Sequence, residues 1–151
     1  MADAPGPGRV LRLERRLAAP PEAVFAAWTD PGMLGQWMSP FGHADVSIDL
    51  RVGGRLRVAM IDGQARIDHT GEFLEVDPPR RLRFTWVSPY TGPQGSEVTV
   101  TFEPEAAGTR LLLVHLGLPA GVVDPHREGW AAILGRLSVV VSSVGSEANP
   151  A

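Results

Sequence analysis

Residues 19–37 read Ala-Pro-Pro-Glu-Ala-Val-Phe-Ala-Ala-Trp-Thr-Asp-Pro-Gly-Met-Leu-Gly-Gln-Trp, and two helix starts are written into them. Pro20-Pro21 precedes one apolar run, and Asp30-Pro31 precedes another ten residues later. Proline suits a first helical turn, because its ring presets φ and its missing N–H would be unpaired there anyway. Asp30 can cap the second start by accepting from the free amides that follow it. The stretch therefore predicts two short helices with a tight joint, carrying Val24, Phe25, Trp28, Leu34 and Trp37. Helices so short and so apolar need a second layer to press against.

The flanking sequence supplies that layer as strands. Val10–Leu17 sets Leu11, Leu13 and Leu17 against Arg12, Glu14 and Arg16. Ala44–Leu50 alternates Val46, Ile48 and Leu50 with Asp45, Ser47 and Asp49, which is the period of a half-buried strand. After a turn at Val52-Gly53-Gly54, Arg55–Ile61 resumes with Leu56, Val58 and Met60, the clearest hairpin in the chain. Asp62-Gly63 turns into Arg66–Val76, and Asp77-Pro78-Pro79 ends it, since proline cannot donate to a ladder. Arg81–Val87, Glu97–Glu103 and Arg110–Leu118 follow as further strands. Asp124-Pro125 then opens a long helix whose Trp130, Ile133, Leu134, Leu137 and Val141 keep the helical period. Its β-branched run Val139-Val140-Val141 is a weak helix former, so packing must hold that end.

Sequential strands joined by short turns imply an antiparallel meander. The expected class is α+β: a curved antiparallel sheet of about seven strands wrapped around a long C-terminal helix, with two short helices after the first strand. Residues 9–144 form one domain in this reading, with flexible tails at 1–8 and 145–151.

Composition narrows the function classes. The chain has 151 residues, 44% of them apolar and 21% charged, as in ordinary globular domains. A net charge of −3 argues against nucleic-acid binding, which favours a basic face. No apolar run has the length of a membrane span, and the N-terminus lacks a signal peptide's pattern, so a cytoplasmic location is expected. With no cysteine, thiolate catalysis and cysteine metal sites are excluded, and the four histidines show no metal-ligand spacing. No cofactor motif is found.

Residues 19–31 with Leu34 and Trp37, Gly53-Gly54-Arg55, Gly71–Val76, Pro79–Leu82, Phe84-Thr85-Trp86 and Gly129-Trp130 with Leu134 and Leu137 together resemble a known family. It is the bacterial group similar to the activator of the heat-shock-protein-90 ATPase, within the START/Bet v-type (SRPBCC) superfamily. That resemblance implies a helix-grip fold over about Leu11–Val144. It also implies a function drawn from lipid carriers, hormone receptors, polyketide cyclases or stress adaptors, and it allows a homodimer.

If the last helix lies over the sheet, the lining of a cavity between them falls to particular residues. They are Leu56, Val58, Met60, Phe73, Phe84, Trp86, Val98, Val100, Leu113, His115, Trp130, Ile133 and Leu134. The expected partner is a small hydrophobic molecule, a lipid, an aromatic or a polyketide-like compound, bound without catalysis. An enzyme reading resembling cyclases and aromatases would use His115, which interrupts Leu111–Val114, as a polar handle or general base. A co-chaperone-like adaptor is a third reading, implied by the family resemblance alone. His69 and Glu72 lie three residues apart on one strand and face opposite ways. Arg66, Asp68, Thr70 and Glu72 read as a polar outer face, and His126 opens the last helix near the expected cavity mouth.

Overall fold

The computed structural model describes residues 10–93 and 95–148. Strand β1 (Leu11–Leu17) leads into helices α1 (Pro21–Thr29) and α2 (Pro31–Trp37). Strands β2 (Ala44–Ile48), β3 (Arg55–Asp62), β4 (Ala65–Asp77), β5 (Arg81–Trp86), β6 (Ser96–Glu105) and β7 (Gly108–Leu116) follow. A 3-10 turn at Ala120–Val122 then delivers the chain into α3, Val123–Ala148. The sheet order is β1-β7-β6-β5-β4-β3-β2, so the two short helices carry the chain from one edge of the sheet to the other. Every neighbouring pair is antiparallel. The α+β class, with the sheet around a long final helix, is the one the residue pattern implies.

Local chemistry accounts for the helix starts. Pro21 occupies the first turn of α1, and Asp30 accepts from Gly32 N at 3.0 Å to cap α2. Trp37 Nε1 donates to the Ala27 carbonyl at 3.1 Å and ties the two helices together. Their apolar groups meet the sheet as an aromatic cluster. Trp28 lies edge-on to Trp37 at 4.8 Å and stacks near Trp130 at 6.3 Å, while Phe25 meets Phe102 at 5.6 Å. Such pairs add about 0.5–1.5 kcal/mol each beyond area burial. Trp28 Nε1 is a buried donor without a partner among the described residues.

Strand β4 bends where its pairing with β5 shifts register between Phe73 and Glu75. Close approach beside that bulge requires Gly71, since a Cβ there would lie 2.1 Å from the Thr85 carbonyl oxygen. Thr85 Oγ1 also accepts from Glu72 N at 2.9 Å. On the outer face Arg110 forks onto Glu14 and reaches Glu103 at 2.8 Å, which holds the Glu14 carboxyl below its ordinary range. These groups are exposed, and such pairs contribute little.

One boundary expectation changes. Leu50 is 40% exposed beyond the end of β2, because the chain folds back there with Arg51 N donating to Asp49 O. Helix α3 is Val123–Ala148, and its last turn lies in the stretch expected as the C-terminal tail. The rest of that tail, residues 149–151, and the N-terminal tail at 1–8 lie outside the described residues.

Candidate ligand-binding cavity

A cavity of about 410 Å³ separates the β3–β5 region of the sheet from the first half of α3. Met60 of β3, Ile67 and His69 of β4, and Trp86 of β5 form one wall. Val122 of the 3-10 turn and Pro125, His126, Gly129, Trp130 and Ile133 of α3 form the other. Pro40, Phe41 and Tyr90 reach it from two loops, with Phe41 and Tyr90 exposed at 48% and 53%. Space exists partly because Gly129 has no side chain. A Cβ built there meets no other atom within 4 Å.

The two tryptophans in the walls are anchored from behind by a polar chain. Trp130 Nε1 donates to His115 Nδ1 at 3.0 Å. An indole nitrogen is only a donor, so Nδ1 must carry the lone pair and the imidazole proton sits on Nε2. Nε2–H then donates to Ser96 Oγ at 2.7 Å, and Ser96 Oγ donates to the Trp86 carbonyl at 2.7 Å. Every donor in this chain is used, and His115 is fully buried. Burial, helped by the neighbouring imidazoles of His126 and His69, pushes its pKa down to about 3. His115 is thus a neutral spacer between Trp130 and Ser96, with neither nitrogen free to accept a proton from a substrate.

His69 occupies a different position. Its ring stacks on Trp86 at 4.8 Å, and its Nδ1 donates to the Ile67 carbonyl at 3.2 Å. Burial is the first cause that lowers its pKa to about 4; the Ile67 carbonyl opposes the shift, and the His126 ring adds to it. His126 Nδ1 likewise donates to the Val122 carbonyl at 2.8 Å. On the far side, Arg136 of α3 donates to the carbonyls of Gln36, at 3.0 Å, and Gly42, fastening the loop that carries Phe41.

Of the sequence candidates, Met60, Trp86, Trp130 and Ile133 line the cavity. Leu56, Val58, Phe73, Phe84, Val98, Val100, Leu113 and Leu134 are buried in the core away from it, and His115 stands behind Trp130. Strand parity finds inward positions correctly but does not say which of them the helix covers. Phe41, Tyr90 and His69 are absent from that set. For His69 a signal existed, because it shares parity with Phe73 while exposed Glu72 points away. Asp68 also faces outward, paired with Arg66 at 3.2 Å. Among the described residues no three His, Asp or Glu side chains gather to hold a metal ion, and no helix is long and apolar enough to cross a membrane.

A seven-stranded sheet gripping its last helix, with an apolar cavity between them, defines a START-like (SRPBCC) protein. Residues 18–142 match the family described as Activator of Hsp90 ATPase homolog 1-like protein, and the chain belongs to that family. It is 25% identical over 122 residues to the mouse activator of 90 kDa heat shock protein ATPase homolog 1. That match covers 80% of this chain but 33% of the mouse protein, so the chain spans about a third of the curated relative. An AHSA1-like protein from Aeromonas hydrophila is 31% identical, with a TM-score of 0.76 over 90% of this chain and 94% of its own. DynU16, a protein from the dynemicin biosynthetic locus, is 29% identical with a TM-score of 0.75, covering 91% of this chain and 48% of that one.

Proposed function

We propose that this protein binds a small hydrophobic molecule in the cavity between sheet and α3, as a cytoplasmic binding module that performs no catalysis. The observation that carries the reading is the cavity itself, about 410 Å³ with walls built mainly of Met60, Ile67, Trp86, Val122, Trp130 and Ile133. Ligand sites have this character: concave, mostly apolar, with a few polar groups that orient the guest. The similarity to DynU16, from the dynemicin biosynthetic locus, supports a small-molecule guest. A cyclase-like reading would need His115 as a base, and both of its ring nitrogens are committed to Trp130 and Ser96.

The test is quenching of intrinsic tryptophan fluorescence by an uncharged aromatic probe such as 2-methoxynaphthalene, with Trp86 and Trp130 in the walls as reporters. Saturable quenching that disappears in Gly129→Phe, whose side chain would enter the cavity, is the expected result. Quenching that is unsaturable, or unchanged by that substitution, would overturn the proposal.

A further inference from the structure

We infer that the cavity selects an uncharged ring compound bearing a hydroxyl donor, with Nε2 of His69 and Nε2 of His126 as the accepting atoms. This rests on the ligand-binding reading above and narrows it to a ligand class.

Proton accounting carries the inference. A carbonyl oxygen only accepts, so the contact between His69 Nδ1 and Ile67 O puts the proton of the neutral ring on Nδ1. Nε2 is left with a bare lone pair. Among the described residues no donor reaches it, although His69 is only 5% exposed and its ring is held flat against Trp86. His126 repeats the arrangement, with the Val122 carbonyl taking its Nδ1–H, so that in the neutral ring Nε2 is again the acceptor. Both residues are walls of one cavity. Each of these nitrogens can accept from a ligand hydroxyl inside the cavity, and a hydrogen bond made there adds to the apolar contact of the ring.

Charge decides what the ligand is not. Among the described residues no Lys, Arg, Asp or Glu lines the cavity. A carboxylate or phosphate entering it would lose its hydration and find no cation in exchange. His69 does not supply one near neutral pH, since burial keeps it uncharged down to about 4. Fatty-acid and phospholipid head groups therefore fit poorly, and a neutral phenol or alcohol fits well. The cavity of about 410 Å³ has room for fused rings lying against Trp86 and Trp130.

Three probes of one skeleton separate the possibilities: 2-naphthol, 2-methoxynaphthalene and 2-naphthoate, titrated at pH 7 by calorimetry. We expect 2-naphthol to bind about three- to tenfold tighter than 2-methoxynaphthalene, and 2-naphthoate most weakly. His69→Phe should abolish the preference, bringing the ratio of 2-naphthol to 2-methoxynaphthalene affinity to about one. His69→Gln, which restores an accepting oxygen, should recover the preference, and His126→Phe should reduce it in part. Equal binding of the two neutral probes, or tightest binding of 2-naphthoate, overturns the selectivity while leaving hydrophobic binding intact. If neither neutral probe binds, the binding reading itself falls and this inference with it.

Discussion

Lowering the pH from 7 to 5 should destabilise this fold through two buried imidazoles. His69 and His115 are 5% and 0% exposed, and burial lowers their pKa values from 6.5 to about 4 and about 3. The unfolded chain therefore takes up protons first as the pH falls. The stability these rings contribute is complete above pH 6.5 and is lost progressively as the pH drops toward the folded values. Between pH 7 and pH 5 the linkage amounts to about 2 kcal/mol for each ring, or about 4 kcal/mol together. For a chain of this size that lowers Tm by about 8–16 °C. Thermal unfolding followed by circular dichroism at pH 7, 6 and 5 measures it, above the midpoints of ordinary carboxylates. The variant His115→Phe isolates one ring. At pH 7 it should cost about 1–3 kcal/mol, because the Trp130 indole N–H loses its acceptor inside the core. Its further loss between pH 7 and pH 5 should then be half that of the parent. A parent whose Tm is flat across this range, or a variant with the full acid slope, would refute the reasoning.

Other perturbations follow from single contacts. Gly129→Ala should raise stability by up to about 1 kcal/mol in chemical denaturation, since it removes a glycine from a helix interior where a Cβ meets open space. Gly71→Ala should lower stability by about 1–3 kcal/mol in the same assay, because the new methyl would press on the Thr85 carbonyl of β5. Arg136→Ala should raise amide hydrogen exchange across residues 36–42 while leaving the sheet protected, having freed the Gln36 and Gly42 carbonyls.

Much of the fold was legible because each element carries its own period. Alternation in residues 11–17, 55–61 and 97–103 reports a face buried against one layer, and every inward apolar residue named in β3, β5 and β6 is buried. Asp30-Pro31 reads as a helix start from the chemistry of the first turn alone, and Asp30 does cap Gly32. The cavity was legible only in part, for a geometric reason. Val98, Val100 and Leu113 share the parity of Trp86, yet the aromatic cluster of α1 and α2 fills the space above that part of the sheet. Which inward residues meet α3 across a gap depends on where the helix crosses the sheet, and no local pattern encodes that crossing. Phe41 and Tyr90 arrive from loops with no periodicity to follow. Leu50 misled because alternation continued past the residue where the backbone turns.

An apolar cavity beside a packed core invites collapse, and the hydrogen-bonded chain behind its walls opposes it. Side chains that swung inward would recover contacts worth about 24 cal/mol for each Å³ filled. Trp130 cannot make that swing without abandoning His115 Nδ1 and leaving an indole N–H and an imidazole lone pair buried without partners. The Trp86 ring is held by His69 stacked on it, while Ser96 bonds the main-chain carbonyl of the same residue. Both rings are thus fixed before any guest arrives, which spares binding the cost of ordering them. The placement of Trp130 depends on His115, which stands outside the cavity. A substitution at His115 should therefore weaken binding of a flat ligand that it does not touch, and loss of affinity there would not identify a contact residue.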